Sequence, residues 1–214
     1  MRACIAGRLM RSVVGRRVAG VPWSWISRIL SIQCLGWSMQ QVTVEDWMVL
    51  AEMIWSTNEA NGWDVAIAAD WDSNKRKLAE KIALIHSELS EAWQGSIDGD
   101  EANYLEELAD VAIRILDVLE GLHPLEGMRR WFEAEVEPFN LLHRSEQIAT
   151  VHLKISNALE YLRKGTLEQF SGQLIVVFRN VEDMATSSLL LYDAMVAKNE
   201  VNRNRGFRHG NKAL

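Results

Sequence analysis

Two pairs of acidic residues at helical spacing constrain this chain more than any other feature of its sequence. The pairs are Glu88 with Glu91 and Glu107 with Asp110, and fifteen residues separate one pair from the other. Residues three apart on an α-helix share a face, so each pair directs two carboxylates the same way. The connector at 95–100 is short and rich in turn-forming residues. This pattern predicts two antiparallel helices on which the four carboxylates converge.

An apolar seam borders both acidic pairs. Its members recur at helical spacing and are Leu78, Ile82, Ile85, Leu89, Leu108, Ala112 and Ile115. A single acidic pair is commonly part of a solvated helix face, and that remains the alternative here. Two pairs beside apolar surface raise one another's pKa and destabilise a fold unless a cation offsets them. Because Mg²⁺ prefers carboxylate oxygens, we predict a site for Mg²⁺ or Mn²⁺ formed by Glu88, Glu91, Glu107 and Asp110.

Composition and charge limit the class of protein. Of the 214 residues, 48% are apolar, 24% are charged and only three are proline, which with the long periodic stretches favours an all-α fold. The first 44 residues hold six arginines and no acid, so the other 170 carry a balance of −12. An acidic body argues against general nucleic-acid binding. Both cysteines, Cys4 and Cys34, precede that body, which fits a reducing cytosol.

Residues 1–40 differ from the rest because they are rich in arginine and serine and free of acids. Three interpretations are open: a cleaved targeting segment, a basic membrane-surface helix at 21–37, or an upstream extension with the working start at Met39. No apolar run reaches transmembrane length, because Arg28 interrupts the best stretch. We favour the extension, which leaves 41–214 as one helical domain and predicts a cytoplasmic protein without a membrane partner.

Periodicity and capping residues predict the helices of this domain. They are expected at about 43–62, 73–95, 101–120, 125–135, 145–164 and 186–203. Thr43 and Asp46 resemble a capping box. Ser73 is expected to cap the helix that carries the first acidic pair. Trp63 and Trp71 fall in the loop before it, where they either seal the end of the bundle or stack on a flat ligand.

The second half of the domain resembles the first. Two segments align with earlier ones: 147–159 with 81–93, and 169–183 with 104–118. The four acids then fall on Lys154, Asn157, Gly172 and Ile175. This pattern indicates an internal duplication, in which a degenerate copy at 140–185 keeps the helices and loses the acids. His86 and His152 fall at equivalent positions, and we interpret both as histidines at the edge of the core rather than as metal ligands.

The last helix leads into a basic tail. Lys198, Asn202 and Arg205 recur at spacings of four and three, so they share one face. Alone, such a tail is a solvated helix end, where positive charge is favoured. Beside a carboxylate-bound metal it is typical of a phosphate clamp, with Arg205 forked onto phosphate oxygens.

Together these residues resemble the MazG-like branch of the all-α nucleoside triphosphate pyrophosphohydrolases, a superfamily that includes the dimeric dUTPases. The shared pattern is E-x-x-E, a spacer, E-x-x-D, then K-x-x-x-N-x-x-R near a terminal His209-Gly210, and it covers about 43–121 and 186–212. The chain departs from the short family members because about 65 residues separate the second acidic helix from the tail. Since such proteins pair subunits, the resemblance implies a homodimer or a tandem-repeat pseudo-dimer.

The resemblance also implies an activity, the hydrolysis of a (deoxy)nucleoside triphosphate to the monophosphate and pyrophosphate in nucleotide-pool house-cleaning. Glu88 or Glu91 would activate the attacking water. The residues implied for the substrate's phosphates and sugar are Lys198, Asn202 and Arg205. Those implied for its base are Trp47, Asn58, Trp63 and Trp71.

Two other functions compete with this one. The first is a catalytically retired helical module that holds a nucleotide without hydrolysing it, since duplication often retires a site. The second is a di-iron carboxylate bundle, which needs paired E-x-x-H helices. The one match, Glu120 to His123, contains Gly121, and we discount it.

Overall fold

The computed structural model describes residues 42–63, 65, 71–123, 126–133, 139 and 143–207. The interpretations of residues 1–40 and of the terminal His209-Gly210 fall outside the described residues. Seven α-helices and no strand occur in the described ranges, which confirms the all-α class. They belong to one unit, Gln41–Leu214. Among these helices, none combines the length and the apolar character needed to cross a membrane.

The helices in chain order are α1 (Val44–Ala60), α2 (Trp71–Asp98), α3 (Glu101–Leu122), α4 (Glu126–Phe132), α5 (Arg144–Lys164), α6 (Leu167–Met184) and α7 (Ser188–Arg203). The capping box at the start of α1 is confirmed, because the Thr43 hydroxyl accepts from the Asp46 amide and the Asp46 carboxylate accepts from the Thr43 amide. Thr166 and Gln169 form a second capping box at α6, and the side chains of Asp100 and Ser187 each accept one amide at the start of α3 and α7.

Both predicted ends of α2 are wrong. The helix begins at Trp71, so Ser73 lies within its first turn instead of capping it. Trp71 packs its ring against Phe170 with centroids 5.5 Å apart, and that contact favours an earlier start. Gly95 does not end the helix. A Cβ there would lie 3.0 Å from the Tyr104 amide nitrogen, so Gly95 permits close approach of α3, and the turn falls at Gly99 with φ +69°.

Helices α2 and α3 form an antiparallel hairpin, which we call the acidic hairpin. Residues from the two helices meet in reverse order along its length, since Glu88 binds Arg114 and Lys81 binds Asp117. The predicted apolar seam lies between these helices and is fully buried. Burying a leucine or isoleucine side chain stabilises a fold by about 1.5–3 kcal/mol, so the seam holds the hairpin together.

Helices α5 and α6 form the second hairpin. It packs on the acidic hairpin, with α2 against α5 and α3 against α6, while α1 and α7 both cover α3. The core of this bundle therefore surrounds α3, whose second half is buried almost continuously. Because α2 and α7 both pack on α3, side chains from all three helices reach one place.

Helices α2 and α5 carry matching histidine and serine residues where they meet. His86 on α2 meets His152 on α5, with their Nδ1 atoms 2.8 Å apart. The ring planes differ by only 7° while the centroids are 5.1 Å apart, so the rings meet edge to edge rather than face to face. One turn further along each helix, Ser90 donates to the carbonyl of His86 and Ser156 donates to the carbonyl of His152.

Helices α3 and α6 also match, because their buried residues correspond at a constant offset of 66 positions. The buried residues that correspond are Tyr104 and Phe170, Leu108 and Leu174, Val111 and Val177, and Ile115 and Val181. The caps Asp100 and Thr166 have the same offset. This structural offset is one residue larger than the offset in the sequence alignment of 169–183 with 104–118. Glu107 is thereby paired with Gln173 and Asp110 with Val176.

Candidate metal and phosphate site

Three of the four predicted acids converge. One carboxylate oxygen from each of Glu88, Glu107 and Asp110 lies within 4.8 Å of the other two, and all three side chains are partly buried. Glu88 comes from α2 and the other two come from successive turns of α3. The antiparallel packing of the acidic hairpin brings them together, because the seam residues Leu89 and Leu108 fix the rotation of each helix toward the core.

Glu88 is held by an arginine that the sequence analysis did not single out. Arg114 on α3 donates from Nε to Oε1 of Glu88 at 2.8 Å, and its Nη2 donates to the same oxygen. The carboxylate of Glu88 is only 12% exposed, so this charge-assisted contact is shielded from bulk water. Both donors of Arg114 bind the same oxygen of Glu88 and fix the orientation of the carboxylate. The guanidinium does not contact the other oxygen, which could therefore bind a cation.

Asp110 is held by Lys198 from α7. Its Nζ lies 2.8 Å from Oδ2 of Asp110 and 2.6 Å from Oε1 of Glu106. Burial alone would lower the pKa of Lys198, but the hydrogen bonds to the two carboxylates outweigh it and raise that pKa. Burial raises the pKa of Asp110, against the opposing effect of the Lys198 ammonium. Lys198 therefore lies at the predicted site, bound to a carboxylate rather than facing open solvent.

Glu107 differs from its two neighbours. No hydrogen bond or ion pair within the described part of the chain engages its carboxylate. Burial, followed by the charges of Asp110, Glu88 and Glu91, raises the pKa of Glu107 to about 7, and Lys198 only partly opposes this. A carboxyl group in this condition exchanges its proton near neutral pH, and a cation bound beside it would favour the ionised form.

Glu91 does not join the group of three. Its side chain is exposed, and its Oε1 accepts from the Ser87 hydroxyl at 3.4 Å. It is nevertheless near enough for its charge to raise the pKa of Glu107. The structure therefore separates the four predicted ligands into three that meet and one at the solvent edge.

The other predicted substrate residues are less closely grouped. Asn202 is partly buried, and its backbone carbonyl accepts from the Asn61 side chain at 2.8 Å. Arg205 is exposed beyond the end of α7. Trp71 packs against the core and Trp63 is partly buried, with its amide bonded to the Asn58 carbonyl at 3.0 Å. For Trp71 the packing interpretation holds, because its ring lies against Phe170.

Arg114 and Glu106 are the site residues that sequence reasoning missed. One signal was present: Arg114 follows Asp110 by four positions and Glu107 by seven, so it lies on the acidic face of α3. Glu106 gave no such signal, because its role depends on where α7 packs, which the pattern of α3 does not contain.

No family model, curated protein or solved structure matches this chain. The chemistry of the site is therefore argued from its residues. Three carboxylates within reach of one another suit a hard cation with oxygen ligands, and the charge of Lys198 only partly offsets that of Glu107. The donor set contains neither sulfur nor imidazole, which favours Mg²⁺ or Mn²⁺ over softer metals.

Proposed function

We propose that this chain is a Mg²⁺-dependent nucleotide pyrophosphohydrolase that converts a (deoxy)nucleoside triphosphate to the monophosphate and pyrophosphate. The observation that carries the proposal is the convergence of Glu88, Glu107 and Asp110, with a lysine from α7 beside them. This arrangement combines carboxylates for a divalent cation with a basic group for phosphate, which is the combination that phosphoryl transfer uses. The acidic body of the chain fits a small nucleotide better than a nucleic acid.

Glu88, Glu107 and Asp110 would hold the ion. When bound, Mg²⁺ supplies a Lewis acid that neutralises charge developing on the phosphate oxygens. Arg114 keeps Glu88 oriented through two donors on one oxygen. Burial, and then the charges of the neighbouring acids, raise the pKa of Glu107 to about 7, so a bound cation would replace its proton near neutral pH.

Glu91 is our assignment for the residue that activates water. It is exposed and stands outside the group of three acids, so its carboxylate is free to accept a proton from solvent-derived water. In the proposed step the water oxygen bonds to the α-phosphorus and its proton passes to Glu91. The bond from that phosphorus to the bridging oxygen breaks, and its electron pair leaves with pyrophosphate.

The tail of α7 would serve the departing pyrophosphate. Lys198 lies within the acid cluster and Arg205 follows two helical turns later in an exposed position. Both carry charge of the sign that stabilises a phosphate leaving group. Asn202 lies between them in sequence and is partly buried, so we assign it to a phosphate or the sugar.

We also propose that the second hairpin is a duplicated, retired copy of the acidic hairpin. The edge-to-edge histidines, the matched serine bonds and the shared 66-position burial register support the duplication. Position by position, Lys154, Asn157, Gln173 and Val176 replace the four acids, so this copy lacks a carboxylate set. In this proposal the second hairpin supplies packing in place of a partner subunit.

The activity is tested by incubating the purified protein with a panel of nucleoside triphosphates and Mg²⁺ while detecting pyrophosphate and orthophosphate separately. We expect pyrophosphate as the first product. Glu91→Gln should abolish its release. Glu80→Gln, which alters an exposed acid on the same helix that pairs with Arg76, should leave it unchanged.

Orthophosphate as the first product, or full activity in Glu91→Gln, would contradict the proposal. A retired binding module predicts a different result from the same preparation. It would bind nucleotide tightly and show no turnover with Mg²⁺, Mn²⁺ or Co²⁺.

A further inference from the structure

We propose that Lys198 is an internal counter-ion of the metal site, and that a divalent ion and the nucleotide phosphates together draw it away from Asp110. This inference rests on the proposed function and extends it to the order in which the site fills. The sequence analysis assigns Lys198 to a phosphate of the substrate. The structure instead places its ammonium on a carboxylate that is a predicted metal ligand.

The geometry identifies the competition. The Lys198 ammonium lies 2.8 Å from Oδ2 of Asp110, at hydrogen-bonding distance from a residue of the three-acid group. Both side chains are shielded, with Lys198 17% exposed and Asp110 18% exposed. A divalent ion bound by Asp110 would lie next to this positive charge, and like charges so close repel strongly where solvent is partly excluded. The ion and the ammonium therefore compete for Asp110.

Lys198 has a second carboxylate partner to which its ammonium can move when it leaves Asp110. Its ammonium also lies 2.6 Å from Glu106, whose side chain is 58% exposed and therefore extends toward solvent. The four-carbon stem of a lysine lets the ammonium rotate toward Glu106 without movement of the helix. The inner partner, Asp110, would then be released to the ion, while the outer partner keeps the charge near the mouth of the site.

Two consequences follow for ligand binding. Without nucleotide, the divalent ion binds weakly because it must displace a tightly held ammonium. With nucleotide, the phosphates offer the ammonium a better partner, so each ligand raises the affinity for the other by the same factor. The remaining charges of the site are consistent with this exchange. Arg114 binds Glu88, and no hydrogen bond or ion pair within the described residues engages the carboxylate of Glu107.

The test measures Mn²⁺ binding to the full chain by electron paramagnetic resonance, first with Mn²⁺ alone. We expect Lys198→Met to bind Mn²⁺ at least about tenfold more tightly than the wild type, because a unit positive charge has left the ligand set. Lys198→Gln, which makes the same charge change and keeps a polar side chain, covers the case in which the methionine variant does not fold. Lys164→Met is the matched control, since Lys164 pairs with exposed Glu160 at the end of α5.

The second arm adds the α,β-imido analogue of the best substrate. We expect it to tighten Mn²⁺ binding to the wild type and to Lys164→Met at least about fivefold, and to have a smaller effect on the Lys198 variants. The counter-ion role would be overturned if both Lys198 variants bound Mn²⁺ no more tightly than the wild type does. If the wild type binds Mn²⁺ and releases pyrophosphate, the proposed function then survives that failure. A wild type that binds no Mn²⁺ even in the presence of the analogue would overturn both.

Discussion

The acidic hairpin and the second hairpin have the same architecture and opposite electrostatics. Both are antiparallel helix pairs with a buried seam, a short capped turn and a histidine at their mutual contact. The acidic hairpin places Glu88, Glu107 and Asp110 together, whereas the corresponding positions of the second hairpin hold Lys154, Gln173 and Val176. The fold therefore depends on the spacing of the apolar residues and on the helix caps, and the acids of the acidic hairpin are not needed to form it.

A second difference concerns the partners of two polar residues at corresponding positions, which are buried or partly buried in the acidic hairpin and more exposed in the second. In the acidic hairpin, Lys81 binds Asp117 directly at 2.5 Å, with Asp117 only 3% exposed. In the second hairpin, the residues 66 positions later are Gln147 and Asp183, and both bind the backbone of Phe139. At these two positions charge is thus paired with charge in the acidic hairpin, while the second hairpin uses hydrogen bonds to a peptide group.

The largest expected effect separates the two hairpins by function. Glu107→Gln should lower turnover by about a thousandfold or more, because it removes a ligand whose role is electrostatic. The same variant should melt at an equal or higher temperature without metal, since it relieves repulsion among the acids. Glu168→Gln, an exposed acid of the second hairpin that pairs with Arg130, should retain activity. Equal losses in the two variants, measured by pyrophosphate release, would contradict the assignment.

The next effect concerns stability. Lys81→Met leaves Asp117 buried without its ion-pair partner, and the free energy of unfolding should fall by about 3–5 kcal/mol. Gln147→Met at the corresponding position of the second hairpin removes one hydrogen bond and should cost about 1 kcal/mol. Urea denaturation of both variants measures the difference. If the two costs were the same, the contrast between charge pairing and amide bonding would be wrong.

A smaller effect tests Arg114. Arg114→Lys keeps the positive charge but loses the two donors that orient one oxygen of Glu88, so turnover should fall by about tenfold with little change in stability. Arg163→Lys is the control, because Arg163 pairs with Glu160 on the exposed face of α5. Wild-type turnover in Arg114→Lys would mean that only the charge of Arg114 matters.

The smallest effect is a pH dependence caused by Glu107. Its pKa is raised from 4.5 to about 7 in the folded protein. The folded state therefore binds the proton more tightly, so this stabilising contribution is complete below about pH 4.5 and is lost as the pH rises through about 7. Without metal, the melting temperature should decline across this range in the wild type and less so in Glu107→Gln. Parallel profiles would exclude Glu107 as the cause.

The same pKa governs metal binding. Below pH 7 the ion must displace a proton from Glu107, so Mn²⁺ affinity should fall by about tenfold per pH unit and become level above that value. Titrations between pH 5.5 and pH 8 measure this slope. An affinity independent of pH over this interval would place the ion away from Glu107.

The sequence was sufficient for the all-α class and for most of the acid cluster, because both follow from the helical period, but it was not sufficient for the ends of α2. Leu78 to Ile115 were placed in the seam by spacing alone, and three of four predicted ligands meet there. The start of α2 was not predictable from Ser73, since the contact between Trp71 and Phe170 is long-range. The partner of Lys198 was missed for the same reason. Its two carboxylates lie on a helix about ninety residues earlier in the chain.

The most direct test of the central claim is a crystal of the protein grown with Mn²⁺ and measured at the manganese absorption edge. We expect one anomalous peak at ligand distance from Glu88, Glu107 and Asp110, lost in a matched crystal of Glu107→Gln. A peak at another position, or no peak at saturating Mn²⁺, would contradict the account and leave a helical bundle whose acids serve no ion.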